Sequence, residues 1–129
     1  MTAVPAFHVR RVYEDSEDLN GYRVLVDRLW PRGIKKSELA IDEWAKDVAP
    51  STELRRWYGH DPDRFDDFAR RYRVELGTGS AVDAVADLVA RSRRTVVILL
   101  TATRDIEHSG ATVLEDHLAR KLRTKRRVH

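Results

Sequence analysis

The chain contains no cysteine. That excludes disulfide bonds, thiolate metal sites and cysteine nucleophiles, and it fits a reducing cytoplasm. Long apolar runs are missing too. The longest, Val96–Leu100, falls far short of the about 20 residues that a membrane-spanning helix needs, so no membrane partner is expected. Met1–Phe7 has no basic segment and contains Pro5, so no secretory leader is expected either. There is no repeat, no low-complexity stretch, no Walker loop and no G-x-G-x-x-G. The one glycine-rich break, Gly77-Thr78-Gly79, reads as a turn between helices.

What is present suits one domain. The 129 residues are 42% hydrophobic, and a chain of this size buries roughly two thirds of its unfolded surface. The net charge of +3 is unevenly placed. Ala119–His129 holds six of the 24 Lys and Arg and no acid, leaving 18 basic against 21 acidic side chains elsewhere. Basicity is therefore a property of the C-terminus. The domain is expected over residues 1–123, with a basic tail over 124–129.

Hydrophobic patterning divides the chain into strands and helices. Phe7–Tyr13 alternates loosely and suits a strand. Tyr22–Leu29 suits a second, and its triplet Val24-Leu25-Val26 predicts cover on both faces. Between them, Glu14–Gly21 is polar, and Asn20-Gly21 offers a hairpin turn or part of a longer loop. Lys35–Ala40 reads as a short helix, while Ile41–Val48 fits helical spacing or a short buried strand. Ser51 is an N-cap for a helix over Thr52–Tyr58. Asp61-Pro62 starts the next, whose apolar stripe is Phe65, Phe68, Tyr72 and Leu76. Ser80 with Asp83 resembles a capping box. Thr95–Leu100 is the strongest strand, and a last helix carries Leu114, Leu118 and Leu122. Strand and helix alternate in the second half, which predicts a small open α/β sheet, at least partly parallel, with helices on its faces.

In such sheets ligands sit beyond the carboxyl ends of the strands. Two stretches are expected there. The first is Asp27-Arg28-Leu29-Trp30-Pro31-Arg32-Gly33. Proline stiffens it, glycine permits close approach, and Arg28 and Arg32 offer planar forks for a phosphate or carboxylate. Asp27 would position an arginine or act as general base, with its pKa raised by burial or lowered by a neighbouring arginine. The same residues also read as a polar strand exit, or as a folding element in which Trp30 plugs the core. The second stretch is Thr101–Gly110. Thr101, Thr103, Ser109, Arg104 and His108 would surround the anion from the opposite wall, with His108 the second catalytic candidate. The bland alternative is a loop capped by Ser109 or Thr112. His60 beside Asp61 is a further binding candidate. Metal ligation is not expected, since it needs several converging ligands, and no cofactor is implied. Arg55 or Arg71 faces the cleft or neither does.

The runs "RVLVDRLWPRG", "DEWAKDVAPSTELRRWYGHDPDRFDDFARRYRVEL" and "TATRDIEHSGATVLEDHL" resemble the YeaO-like family of small bacterial proteins, within the domain of unknown function 488. The resemblance covers roughly residues 7–123. It implies a compact α/β domain and a strand over Ile41–Val48, and it implies no known reaction. Its signature stretches fall on Asp27–Gly33, on Ala49-Pro50-Ser51 and on His60-Asp61-Pro62. Longer members of the wider family resemble this chain but tend to carry a cysteine near the strand end, where Thr101 stands nearby, and a Cys-His-Arg-like stretch at the last helix, near His108-Ser109-Gly110, so their thiol chemistry is unsupported here.

The expectation is a cytoplasmic α/β protein whose strand-end cleft takes a small anionic molecule. Arg28, Trp30, Arg32, Arg104, Thr101 and His60 would hold it. Asp27 and His108 are the candidates for phosphoryl or carboxyl-ester hydrolysis, if there is any. The alternative is a non-catalytic regulatory or nucleic-acid-binding module that uses the basic tail, although the tail lacks aromatics for stacking on bases. Oligomeric state is not legible in the sequence.

Overall fold

Val97–Thr101 is buried along its whole length, and everything else is arranged around it. In the computed structural model, which describes residues 5–14 and 19–127 with side chains through residue 124, this strand is the fourth of four. The strands are β1 (Phe7–Arg11), β2 (Tyr22–Leu25), β3 (Glu43–Trp44) and β4 (Val97–Thr101), in spatial order β1-β4-β2-β3. Every neighbouring pair is parallel. Phe7 sits opposite Val97 on one side of β4, and Tyr22 sits opposite Val97 on the other. The helices are α1 (Thr52–Tyr58), α2 (Phe65–Leu76), α3 (Gly79–Ser92) and α4 (Gly110–Arg127). The expected small α/β domain is thus present, and its sheet is parallel throughout.

Alternation along the strands divides the core in two. Phe7, Val24, Val97 and Leu99 join Phe68, Tyr72, Leu76, Leu88, Leu114 and Leu118 in one cluster under the helices. Leu25, Ile98 and Leu100 face the other way. They are covered by Val12, Leu39 and the partly buried Trp30, Ile34, Ile41 and Trp44. Each fully buried aliphatic side chain contributes about 1.5–3 kcal/mol.

That second face is covered by irregular chain, and here the patterning misleads. Lys35–Ala40 forms turns, not a helix. Glu38 donates its N–H to the Lys35 carbonyl at 2.9 Å and takes the Lys35 N–H on its carboxylate at 2.7 Å. The turn delivers Leu39, 8% exposed, onto the sheet. Burial of one leucine outweighs a weak local helical preference. Strand pairing within Ile41–Val48 is confined to Glu43–Trp44, and Lys46–Val48 winds into a single 3-10 turn.

Local start signals fare better. Ser51 Oγ accepts the Leu54 N–H at 3.1 Å, and Asp61 accepts the Asp63 N–H at 3.0 Å ahead of Pro62. Ser109 Oγ accepts the Thr112 N–H at 3.2 Å at the start of α4. The capping box expected at Ser80 and Asp83 does not form, because α3 already begins at Gly79 after an uncapped Thr78. The tail boundary expected after residue 123 falls inside α4, which runs on to Arg127. The polar stretch between β1 and β2 lies partly outside the described residues, as do the side chains of Lys125, Arg126 and Arg127.

Because all four strands point the same way, their carboxyl ends share one edge. Asp27–Gly33 and Thr101–Gly110 both leave from it.

Candidate functional site

The two loops are joined through Asp27. Its Oδ1 accepts the Thr101 hydroxyl at 2.7 Å, and its Oδ2 accepts the Ala102 N–H at 2.7 Å. Thr101 Oγ1 in turn accepts the Thr103 N–H at 3.2 Å. The Asp27 carbonyl takes the Trp44 indole N–H at 2.7 Å, so β3 is tied to the same point. Thr101 is 1% exposed.

Burial pushes the Asp27 carboxyl above its ordinary pKa of 3.8. The Ala102 and Thr101 hydrogen bonds and the charges of Arg55 and His60 pull the other way without cancelling the shift. Protonated Asp27 therefore suits the fold better than ionised Asp27. Its contribution to stability is fully present below the ordinary value and is lost as pH rises through the raised one. Asparagine stays neutral at every pH. Its carbonyl can take the Ala102 N–H while its amide donates to Thr101. Asp27→Asn is expected to gain stability relative to wild type as pH climbs from the ordinary carboxylate value toward neutrality. Denaturant melts of both proteins across that window check it, and a constant difference would put the shift elsewhere.

Arg55 and His60 bear electrostatically on this carboxyl. Arg55 sits on α1, one turn beyond its start. His60 follows Gly59, and both adopt the left-handed conformation, with φ of 57° and 55°. For a residue with a Cβ that conformation is uncommon, and it turns the chain sharply after α1. The His60 ring lies 6.1 Å from that of Tyr58. Arg55 and His60 are exposed. Neither has an ion-pair partner among the described residues.

The other candidates are distributed differently. Arg28 points at the chain before α1: its Nε donates to the Pro50 carbonyl at 3.0 Å and its Nη2 to the Ala49 carbonyl at 3.2 Å. Trp30 donates to the Ile34 carbonyl at 2.6 Å and meets Trp44 edge to face at 5.3 Å. It belongs to the apolar cluster on the sheet face opposite Tyr58. Arg32 is exposed beside β1, where its carbonyl takes the Tyr13 hydroxyl at 2.8 Å. Arg104 is exposed at the tip of its loop. His108 Nδ1 lies 2.7 Å from Asp105 Oδ2, and its ring stands edge to face on Phe65 at 5.2 Å. Its carbonyl takes the Tyr58 hydroxyl at 2.6 Å. Tyr58 thus links the His60 and His108 segments.

The structure therefore brings together Asp27, Thr101, Arg55 and His60, with His108 at the margin through Tyr58. Arg28 serves the neighbouring loop, and Trp30 lies across the sheet. Among the described residues no three His, Asp or Glu side chains converge as metal ligands. Tyr58 entered the sequence reading only as the end of the helix over Thr52–Tyr58. Arg55 carried no signal beyond its place early in α1. Arg71, the other open choice, stacks on Trp57 at 4.2 Å. It lines a groove of about 340 Å³ between α1 and α2, with Ser51, Glu53, Leu54, Trp57 and Glu75. There both Glu75 oxygens are engaged, by the Ser51 N–H at 2.8 Å and hydroxyl at 2.6 Å.

No helix among the described residues is long and apolar enough to cross a membrane. The family model described as the inactive DUF488-N3 subclade matches residues 6–128. The uncharacterised protein Rv3073c of Mycobacterium tuberculosis is 52% identical over 106 residues, covering 82% of this chain and 87% of that protein. The uncharacterised protein YeaO of Escherichia coli is 41% identical over 110 residues, covering 84% and 93%. No solved structure matches.

Proposed function

Since the chain belongs to the DUF488 family, in the DUF488-N3 subclade described as inactive, we propose that its strand-end site binds a small anion, a phosphate or carboxylate group, without turning it over. The observation that carries this reading is the exposed Arg55 guanidinium, with His60 near it in sequence after α1, both within electrostatic reach of the Asp27 carboxyl and without an ion-pair partner among the described residues. A guanidinium presents a planar fork to an incoming oxyanion. Raised pKa and a hydrogen-bonded cradle keep Asp27 from opposing that anion as strongly as a free carboxylate would. Arg104 and Arg32 are outer arms of the same binding reading, and His108 stands at its margin.

The absence of turnover is argued from Thr101. Its hydroxyl occupies the strand-end position where a nucleophile would sit, but it is buried and already donates to Asp27. Burial of that hydroxyl keeps it from an incoming ester, and the Asp27 carboxyl is held between the Thr101 hydroxyl and the Ala102 N–H. Lack of cysteine fits a cytoplasmic setting.

Thermal shift at constant ionic strength tests the reading, with phosphate, small carboxylates and nucleotides as probes. A ligand at a hundred times its dissociation constant stabilises by about 2.7 kcal/mol, which is several degrees in melting temperature. Arg55→Ala is expected to abolish the shift while remaining folded. A shift that survives Arg55→Ala would move the site elsewhere. Release of phosphate or carboxylate from an ester probe, lost in Asp27→Asn, would replace binding by hydrolysis.

A further inference from the structure

The end of the molecule opposite the candidate site gathers positive charge from two helices. α3 leads into the start of β4, and Arg91 lies in its last turn with Arg93 as its C-cap. α4 leaves the far end of β4 and returns along β1, where Glu115 lies within electrostatic reach of His8. The two helices pack against each other. Both therefore end at the amino-terminal edge of the sheet.

α4 is 18 residues long, about 27 Å at the helical rise, while the five residues of β4 cover about 17 Å. The helix is longer than the strand by about 10 Å, or about two turns, and the last of its residues packed against the core is Leu122. Beyond Leu122 it continues as Arg123-Thr124-Lys125-Arg126-Arg127.

Arg93, Arg94, Lys121 and Arg123 are exposed, and none has a carboxylate partner among the described residues. The neighbouring charges are spoken for. Asp116 pairs with Arg120 at 2.9 Å and with Arg73 at 3.5 Å. Arg91 lies over the Tyr22 ring at 4.1 Å. At the same edge, toward β3, Asp42 accepts the Arg23 N–H and Glu43 accepts the Tyr22 hydroxyl. Cations near a helix C-terminus complement the dipole, but that effect fades within the last turn. It does not account for unpaired cations on two helices and the connection beyond one of them.

We propose that this basic pole, formed by Arg93 and Arg94 beyond α3 and by Lys121 and Arg123 on α4, docks duplex DNA through its phosphates. The chemistry selects that partner. Arginine predominates, and its fork fits phosphate oxygens. The apolar stripe of α4, Leu114, Leu118 and Leu122, is committed to the core, so the helix has no apolar face to lay into a lipid surface. Exposed aromatics for stacking on single strands are absent from the pole among the described residues, where Tyr22 is covered by Arg91. The end of an α-helix fits the wide major groove of B-form DNA, and the narrow major groove of an RNA duplex excludes it. Such contacts hold the backbone and read no sequence.

Fluorescence anisotropy of a labelled mixed-sequence DNA duplex, titrated with the full chain over a salt series, tests the proposal. Four to six phosphate contacts predict that log K falls against log salt with a slope of about −4 to −5. Arg93→Glu with Arg94→Glu, and separately Lys121→Glu with Arg123→Glu, are each expected to weaken binding at least tenfold and to flatten the slope by about two. All four positions are exposed, and circular dichroism confirms folding. Should a reversal pair unfold the protein, the glutamine pair reports the same slope change. Unchanged affinity in Arg93→Glu/Arg94→Glu would overturn the two-helix surface. Equal or tighter binding to vesicles rich in phosphatidylserine, or no duplex binding at low salt, would overturn DNA as the partner.

Discussion

Gly21→Ala is expected to lower stability by about 3 kcal/mol, an overpacking cost at the upper end of the usual range. For a chain of this length that is about ten degrees in melting temperature. A Cβ on Gly21 would stand 2.5 Å from the Val96 carbonyl oxygen and 3.3 Å from Ile98 Cδ1. The oxygen cannot retreat cheaply, because it accepts the Tyr22 N–H at 2.8 Å and so begins the pairing of β2 with β4. Relief must come from separating the two central strands. Gly33→Ala is the informative control. Gly33 has φ of +77° and open space around its Cβ position, so alanine there meets backbone strain alone, about 1 kcal/mol. Urea denaturation of both variants decides the matter. If Gly33→Ala costs as much as Gly21→Ala, close approach to Val96 is not what requires glycine.

Arg28→Ala is expected to cost about 3 kcal/mol and, with it, most of the anion response. The guanidinium satisfies the Pro50 and Ala49 carbonyls, both on buried residues. A buried acceptor left without a partner costs about 1–3 kcal/mol. Those carbonyls immediately precede Ser51, the cap of α1, and α1 carries Arg55. Loosening them moves the cation that the binding site depends on. Arg28→Lys should recover little, since one ammonium cannot reproduce a planar fork across two carbonyls. The checks are denaturant melts and the phosphate-induced thermal shift on the same samples. A stable Arg28→Ala with an intact shift would mean that the Ala49-Pro50 turn holds without it.

These two positions show where reading the sequence succeeds and where it stops. β4 was legible because five consecutive apolar residues have few alternatives, and the starts of α1 and α2 because caps are local chemistry. Asn20-Gly21 reads as a turn, yet β1 and β2 do not pair, and Gly21 is required by a carbonyl 75 residues further on. The run at Asp27–Gly33 offered Arg28 as an anion fork. Its contacts with the Pro50 and Ala49 carbonyls were not legible, because backbone carbonyls brought in by tertiary structure leave no trace in residue type. Asp27 was legible as a candidate, but its partner Thr101, 74 residues away, had to be placed by strand order. Arg55 was one arginine among many until α1 was docked.

The place of β4 in the sheet also has a consequence in time. It is the central strand and the last to be made, and β1 and β2 each pair with it and not with each other. On the ribosome, residues 1–96 can form helices and the short β2–β3 contact, but the sheet has no middle until Thr101 has emerged. At about 5–20 residues per second, β1 waits several seconds for its only neighbour. The nascent chain spends that interval with β1 unpaired and β2 held only by the short β3, and the sheet is completed when its last strand is inserted between them.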